Sequence, residues 1–438
     1  MEKQVITIAG GGSTFTPGIV GALFYRDDFP VKEIRLYDNN KDRNQRSGVI
    51  VDYIIKQNNL ENEISLVVTE DPEVAFTGVN FIFCQLRVGL MKMREKDEKI
   101  PLKYDLVGQE TCGLGGFSYG LRSIGGMLEI AEYVTKYCPD AWILNYTNPE
   151  AIIAEAINRK YPKLKIINAC DMTISIMETI AENYDLDMSN WEADYYGLNH
   201  FGWFTKIYDT KQEKDIMPEL LDLLVNKELK AKEGQDPSWN EAFSMISYIV
   251  KKFPGYIPNN YLEYYLFPDK FVERADKNYT RANEVMDGRE KMIQKLADSI
   301  KNGDLEDNEI EVGVHGKYIV DIASSILNNR GDRFILIVRN NGIILNFRSD
   351  SMIEVPVYVN KTGPEPVNTD IKINDFHKGL MEKQNAAEQL LVDGFFENSY
   401  NKVLEAFTLN ATCPSADLAQ TVLDEFIVAN GDYWPKLK

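Results

Sequence analysis

Two groups of residues in this 438-residue chain have the types and spacing to do chemistry. The first is Gly10-Gly11-Gly12-Ser13-Thr14-Phe15-Thr16-Pro17, set between an apolar run and a helical stretch. Glycines at 10 and 12 allow a tight turn and close backbone approach. Thr16 and Pro17 read as N-cap and first helical residue, leaving free N–H groups that suit a pyrophosphate. The third fingerprint position holds Phe15 rather than glycine. Asp38 ends the next strand-like run, where a carboxylate takes both ribose hydroxyls and disfavours a 2′-phosphate. Together they predict dinucleotide binding through Gly10, Gly11, Gly12, Ser13, Thr14, Phe15 and Asp38.

The second group is Cys170 and His200. Histidine is scarce, with only His200, His315 and His377 in the chain, so metal chemistry has few donors to draw on. Cys170 ends a strand-like run and His200 lies in Tyr196-Gly-Leu-Asn-His-Phe-Gly-Trp203, a turn beside another strand. Both can converge on the crevice above the strand ends, where open α/β sheets bind ligands. A thiolate and an imidazole there would hold one divalent ion. Spacing alone leaves open the alternative of a buried structural cysteine beside a hydrogen-bonded histidine.

The elements that must position these groups follow from periodicity. Residues 5–9, 33–37, 64–69, 79–85, 141–145 and 165–169 read as strands, with helical stretches 17–25, 42–57 and 121–137 between most of them. That alternation predicts an α/β fold with a parallel, Rossmann-type doubly wound sheet, since parallel neighbours need crossover helices. Past about residue 194 the rhythm changes. Tyr- and Trp-rich loops lead to a helix over 281–300, capped by Thr280 and ended by Gly303. Strands over 333–338 and 353–359 follow, then mostly helix. The expected division is a dinucleotide-binding domain, 1–194, and a C-terminal catalytic and substrate domain, 195–438, meeting without a flexible linker.

Composition narrows the function classes. Hydrophobic residues at 44% and charged residues at 26% fit a folded globular chain and exclude a disordered or fibrous one. No apolar run approaches the ~18 residues of a membrane span. The first residues pass into a strand and a glycine cluster without the stages of a signal peptide, so a cytoplasmic location is expected. Five scattered cysteines suit a reducing compartment better than a disulfide framework. A net charge of -19 repels a phosphate backbone, so nucleic acid is not an expected partner.

Further segments carry a resemblance. Gly-Gly-Gly-Ser-Thr-Phe-Thr-Pro-Gly (10–18), Leu-Tyr-Asp (36–38), Val-Gly-Gln-Glu-Thr-Cys-Gly (107–113), Asn-Tyr-Thr-Asn-Pro (145–149), Cys-Asp-Met (170–172), Gly-Leu-Asn-His-Phe-Gly-Trp (197–203) and Thr-Arg-Ala-Asn-Glu-Val (280–285) resemble, in order, the glycoside hydrolases of family four. This family is the NAD-dependent exception to two-carboxylate glycosidase chemistry. Asp171 directly after the cysteine is similar to the 6-phospho-α-glucosidases, whereas the phospho-β-glucosidases usually carry Asn there. Thr173 stands where the family usually has proline.

The resemblance implies a fold of the lactate/malate dehydrogenase type and hydrolysis of a phosphorylated disaccharide such as maltose 6′-phosphate. NAD oxidises the sugar C3 hydroxyl, which acidifies the C2 hydrogen so that the C1–O bond breaks by elimination. Water then adds at C1 and the hydride returns. It further implies one divalent metal, usually Mn2+, on Cys170 and His200; Tyr261 as the C2 base; Glu110 raising the basicity of that tyrosine; and Asp171 as proton donor to the departing oxygen. Arg94, Asn148 and Arg281 match the positions that hold the 6-phosphosugar. Arg87 is expected near the nicotinamide, His315 reads as a structural histidine, and Tyr264 and Tyr265 as packing residues. The family's habit is a homodimer or homotetramer. A 6-phospho-β-glucosidase is the alternative. A 2-hydroxy-acid dehydrogenase is more remote, because it needs a His–Asp pair that no histidine here supplies in its local sequence.

Overall fold

Strands buried on both faces read as continuous apolar runs, and the chain uses such runs to build the centre of one sheet. The computed structural model describes residues 2–230, 237–304 and 314–438. Its strands are β1 (Gln4–Ala9), β2 (Val31–Tyr37), β3 (Ser65–Thr69), β4 (Phe81–Cys84), β5 (Trp142–Asn145), β6 (Ile166–Ala169), β7 (Trp191–Leu198), β8 (Phe201–Asp209), β9 (Lys214–Asp215), β10 (Ile257–Pro258), β11 (Asp332–Arg339), β12 (Met352–Asn360) and β13 (Gly363–Pro366). The first six pair in parallel in the order β3-β2-β1-β4-β5-β6, the doubly wound dinucleotide-binding arrangement. β1 and β4 are buried throughout, while the edge strand β3 is half exposed.

The sheet does not stop at β6. β11 pairs with it antiparallel, and β12, β7, β8 and β10 continue the same sheet. β7 and β8 form a hairpin whose turn is Asn199–His200. Because side chains alternate across a strand, Ile6 and Ile8 face one core and Val5 and Ala9 the other. The first core includes Ile319, Ile322 and Val355. The second is closed by Leu391, Phe407 and Phe426 from the helices Asp375–Glu397, Tyr400–Leu409 and Ala416–Asn430. The C-terminal half therefore covers both faces of the sheet. Among the described residues no helix is long and apolar enough to cross a membrane.

Two helix starts differ from expectation, and one helix holds an unexpected π-helical stretch. The helix expected from 121 begins at Gly113, because packing of its face against the helix Leu90–Lys103 outweighs the poor propensity of its early glycines. Phe15, not Thr16, is the N-cap of the helix Thr16–Phe24, and the Thr16 hydroxyl donates to the Gly11 carbonyl at 2.9 Å. The stretch expected as one helix from 281 has Thr280 as N-cap and ends before Gly303, but it is an α-turn, Arg281–Val285, a π-turn, Met286–Glu290, and a helix, Lys291–Asn302.

One buried acid makes the fold pH-sensitive. Glu388 on the helix Asp375–Glu397 is 8% exposed and accepts from Gln384 Nε2 at 2.9 Å. Burial, with Glu155 adding to it and Gln384 opposing it, pushes its carboxyl up from 4.5 to about 7. The stability of the protonated form is fully present below pH 4.5 and lost as pH rises through about 7, at a cost of up to about 3 kcal/mol. Glu388→Gln, which mimics the protonated acid, is expected to raise Tm at pH 8 and change it little at pH 5. An equal shift at both pH values would mean that Glu388 does not titrate there.

Candidate active site

In the parallel half, Ala9 lies beside Cys84, Cys84 beside Asn145 and Asn145 beside Asn168, so the loops leaving β1, β4, β5 and β6 share one edge. This is the carboxyl edge, where the strand order reverses between β1 and β4. Gly10 has φ 84°, and a Cβ there would lie 2.7 Å from the Gln85 carbonyl oxygen, so only glycine fits. The amides of Gly10 and Gly11 both donate to the Tyr37 carbonyl at 2.9 Å. The Gly12 amide donates to Asp38 Oδ2 at 3.0 Å and that of Asn40 to Oδ1 at 2.8 Å, which fixes the carboxylate. Burial raises the Asp38 carboxyl from its ordinary value, opposed by those two amides. Ser13, Thr14 and Phe15 complete the turn, with Phe15 exposed.

Across the crevice, Cys170 follows β6 directly and Asp171 caps the helix Met172–Asn183, in whose first turn Thr173 is buried. His200 occupies the β7–β8 turn at φ 61° and brings Nε2 to 3.2 Å from Cys170 Sγ. The two readings that spacing left open thus share one geometry. Burial pushes the imidazole down to about 4, leaving it neutral with a lone pair to give, and pushes the Cys170 thiol up. Tyr261, just after β10, stacks on His200 with ring centroids 4.2 Å apart and planes 10° apart. Burial raises its phenol, and the Cys112 and Glu110 charges raise it further. A cation beside it would lower it.

Glu110 is no ordinary loop acid. It pairs with Arg87 and, at 3.2 Å, with Arg94 Nη1. Burial pushes its carboxyl up, but the two guanidiniums overcome this and hold it at about 2. Arg87, expected near the nicotinamide, is thus engaged with Glu110 and lies over the Tyr119 ring. Glu98 joins the two phosphate candidates. Its Oε1 accepts from Arg94 Nε at 2.7 Å and its Oε2 from the Ala282 amide at 2.7 Å, beside Arg281. Arg281 also reaches Glu284 at 2.9 Å. Asn148 lies partly buried on the loop leaving β5. Tyr264 and Tyr265 pack against Tyr261 and Phe201 as expected, and His377, stacked on Trp203 and bonded to the Tyr196 hydroxyl, is structural.

Sequence reasoning did not name Glu98 or Arg289. Arg289, on the π-turn, lies 4.2 Å over the Phe15 ring, its Nε buried without a partner. Burial and the charges of Arg94, Arg281 and Arg87 push its guanidinium down to about 10. It stands on the π-helical stretch Met286–Glu290, which nothing in the local sequence marks. His315, read from sequence as structural, places its Nδ1 3.1 Å from Asp171 Oδ2. It forms a His–Asp pair that the local sequence did not show. The scarcity of histidine was the available signal.

A doubly wound dinucleotide crevice facing a thiol–imidazole pair, a tyrosine and a cluster of arginines defines a dinucleotide-dependent enzyme. The chain belongs to the family 4 glycosyl hydrolases: the family's model matches residues 5–186 and that of its C-terminal domain residues 195–413. Maltose-6′-phosphate glucosidase MalH of Clostridium acetobutylicum is 47% identical to it over 100% of both chains. A crystal structure of a 6-phospho-alpha-glucosidase from gut microorganisms in complex with NAD and Mn2+ is 38% identical, with a TM-score of 0.96 over 100% of each chain. Another from gut microorganisms, in complex with NAD and glucose-6-phosphate, is 42% identical, with a TM-score of 0.95 over 100% of each chain.

Proposed function

We propose that this protein hydrolyses 6-phospho-α-glucosides, such as maltose 6′-phosphate, to glucose 6-phosphate and an aglycone. The observation that carries the reading is the convergence of Cys170, His200, Asp171 and Tyr261 on one crevice beside the glycine loop. Relatives named for this activity, alike over the whole chain, support it. Residues 1–194 would carry the dinucleotide and 195–438 complete the sugar site. We infer a cytoplasmic location, where a dianionic sugar phosphorylated on uptake would be retained.

The residues present fit both absent groups. The Gly10–Gly12 turn and the fixed Asp38 form the cradle for NAD, which when bound takes hydride from C3 and returns it. Two ligands of one ion at right-angle to tetrahedral coordination lie about 3.1–3.5 Å apart, and Cys170 and His200 stand at 3.2 Å. Among the described residues no group of three or more His, Cys, Asp and Glu side chains is placed to hold a metal, so substrate oxygens or water would complete the shell. Mn2+ held there supplies Lewis acidity to the sugar O2 and O3.

The chain's own groups do the rest. Tyr261 removes the C2 proton, and Glu110, raising the phenol, adds to its basicity. Asp171 gives a proton to the departing oxygen. Burial pushes its carboxyl up, but the His315 hydrogen bond and charge hold it below its ordinary value, so it must take up a proton before it can give one. Arg94, Arg281, Arg289 and Asn148 receive the 6-phosphate, planar guanidiniums matching its oxygens better than lysine.

Removing one partner of a desolvated charge-assisted pair costs ~2–5 kcal/mol, and the 29% exposure of Arg281 favours the lower end. Arg281→Ala is therefore expected to raise KM for 4-nitrophenyl 6-phospho-α-glucoside roughly thirtyfold or more. Lysine should rescue it partly, and the unphosphorylated glucoside should lose far less. Equal losses on both would move the phosphate site elsewhere. The same assay, run on α and β anomers with NAD, Mn2+ and a thiol reductant, tests the function itself. Turnover of the α anomer without net NADH supports it. Preference for the β anomer, or stoichiometric NADH from a 2-hydroxy acid, overturns it.

A further inference from the structure

Asp171 sits on a single side-chain hinge at the start of a helix, with its carboxyl 26% exposed. A donor must hold its oxygen within about 3 Å of the atom it protonates, so the orientation of this carboxylate has to come from a neighbour. Among the described residues its side-chain hydrogen-bond partner is His315, Nδ1 to Oδ2 at 3.1 Å. His315 is itself held rigid. Its ring lies between Phe15, 4.5 Å away on the glycine loop, and Tyr146, 4.3 Å away on the loop leaving β5. It stands at the start of the helix Val314–Asn328, which packs on the helix Thr16–Phe24. That approach depends on the next residue, Gly316, where a Cβ would come within 2.5 Å of the Gly18 carbonyl oxygen.

We propose that His315 is a positioning residue for Asp171: its Nδ1 holds Oδ2 and so turns Oδ1 toward the departing oxygen. The inference rests on the reading of Asp171 as proton donor. It has a consequence that a merely structural histidine would not produce. A departing sugar alcohol needs a proton and 4-nitrophenolate does not, so loss of His315 must discriminate between leaving groups.

The test compares kcat and KM of the NAD- and Mn2+-loaded enzyme on maltose 6′-phosphate and on 4-nitrophenyl 6-phospho-α-glucoside. General-acid catalysis contributes about 100- to 10,000-fold, so Asp171→Asn should lower kcat on maltose 6′-phosphate by at least about 100-fold and on the nitrophenyl substrate by less than about fivefold. His315→Ala should show the same pattern, roughly 30-fold against less than about threefold, with KM for both within about twofold. His315→Asn keeps an amide near Nδ1 and should recover most of the loss, which also controls for folding. The double variant Asp171→Asn/His315→Ala should be no slower than Asp171→Asn alone, because the histidine acts through the acid. Equal losses on both substrates with His315→Ala, no recovery with asparagine, or additive losses in the double variant would overturn the positioning role. Equal losses with Asp171→Asn would instead remove the donor reading, and this proposal with it.

Discussion

Cys170→Ser and His200→Asn are each expected to lower turnover of maltose 6′-phosphate by about a thousandfold or more while leaving NAD affinity within about twofold. Both side chains are buried and lie 3.2 Å apart, and serine and asparagine are polar replacements that add no volume. What is lost is a donor of the metal pair, and Lewis-acid stabilisation is worth several kcal/mol of barrier, about a thousandfold at 1.36 kcal/mol per factor of ten. The dinucleotide cradle lies on the other side of the crevice, between β1 and β2, and among the described residues no hydrogen bond joins it to the pair. The checks are kcat, bound Mn2+ by elemental analysis and NAD affinity by calorimetry. A variant that kept the wild-type rate after chelator treatment would remove the metal from this site.

Tyr261→Phe is the second large effect, a loss of about 100- to 10,000-fold in kcat with KM changed little, as for removal of a general base. Phenylalanine keeps the ring that stacks on His200 at 4.2 Å, so the imidazole stays in place and only the phenol oxygen is lost. The residual kcat should respond less to Glu110→Gln than the wild-type kcat does, the remaining effect coming through Arg87 and Arg94. A loss confined to KM would make Tyr261 a binding residue.

The parts of this site legible in the sequence were those written locally. Val5–Ala9, apolar except for Thr7, and Phe81–Cys84 are buried on both faces, which marks central parallel strands, and the glycine turn after β1 carries its own conformational demand at Gly10. Cys170 and His200 each sit at a strand end, so their convergence followed from topology. The rest depended on packing. The antiparallel extension through β11 and β12 is set by pairing partners far apart in the chain, not by any local pattern. His315 meets Asp171 across 144 positions because Gly316 lets two helices close together. Arg289 joins the arginine cluster from a π-helical stretch that periodicity reads as ordinary helix. Glu98, a helical acid in sequence, becomes the bridge between Arg94 and the Arg281 segment only once two helices meet.

The claim on which everything else depends is that the glycosidic bond breaks by elimination after C2 deprotonation. Turnover of maltose 6′-phosphate in heavy water, with carbon-resolved NMR of the glucose 6-phosphate released, tests it most directly. A base such as Tyr261 exchanges with solvent before its proton returns, so deuterium should appear at C2 of the product, and the residual turnover of Tyr261→Phe should carry less. Product from the wild-type enzyme with hydrogen fully retained at C2, released at the normal rate, would contradict it.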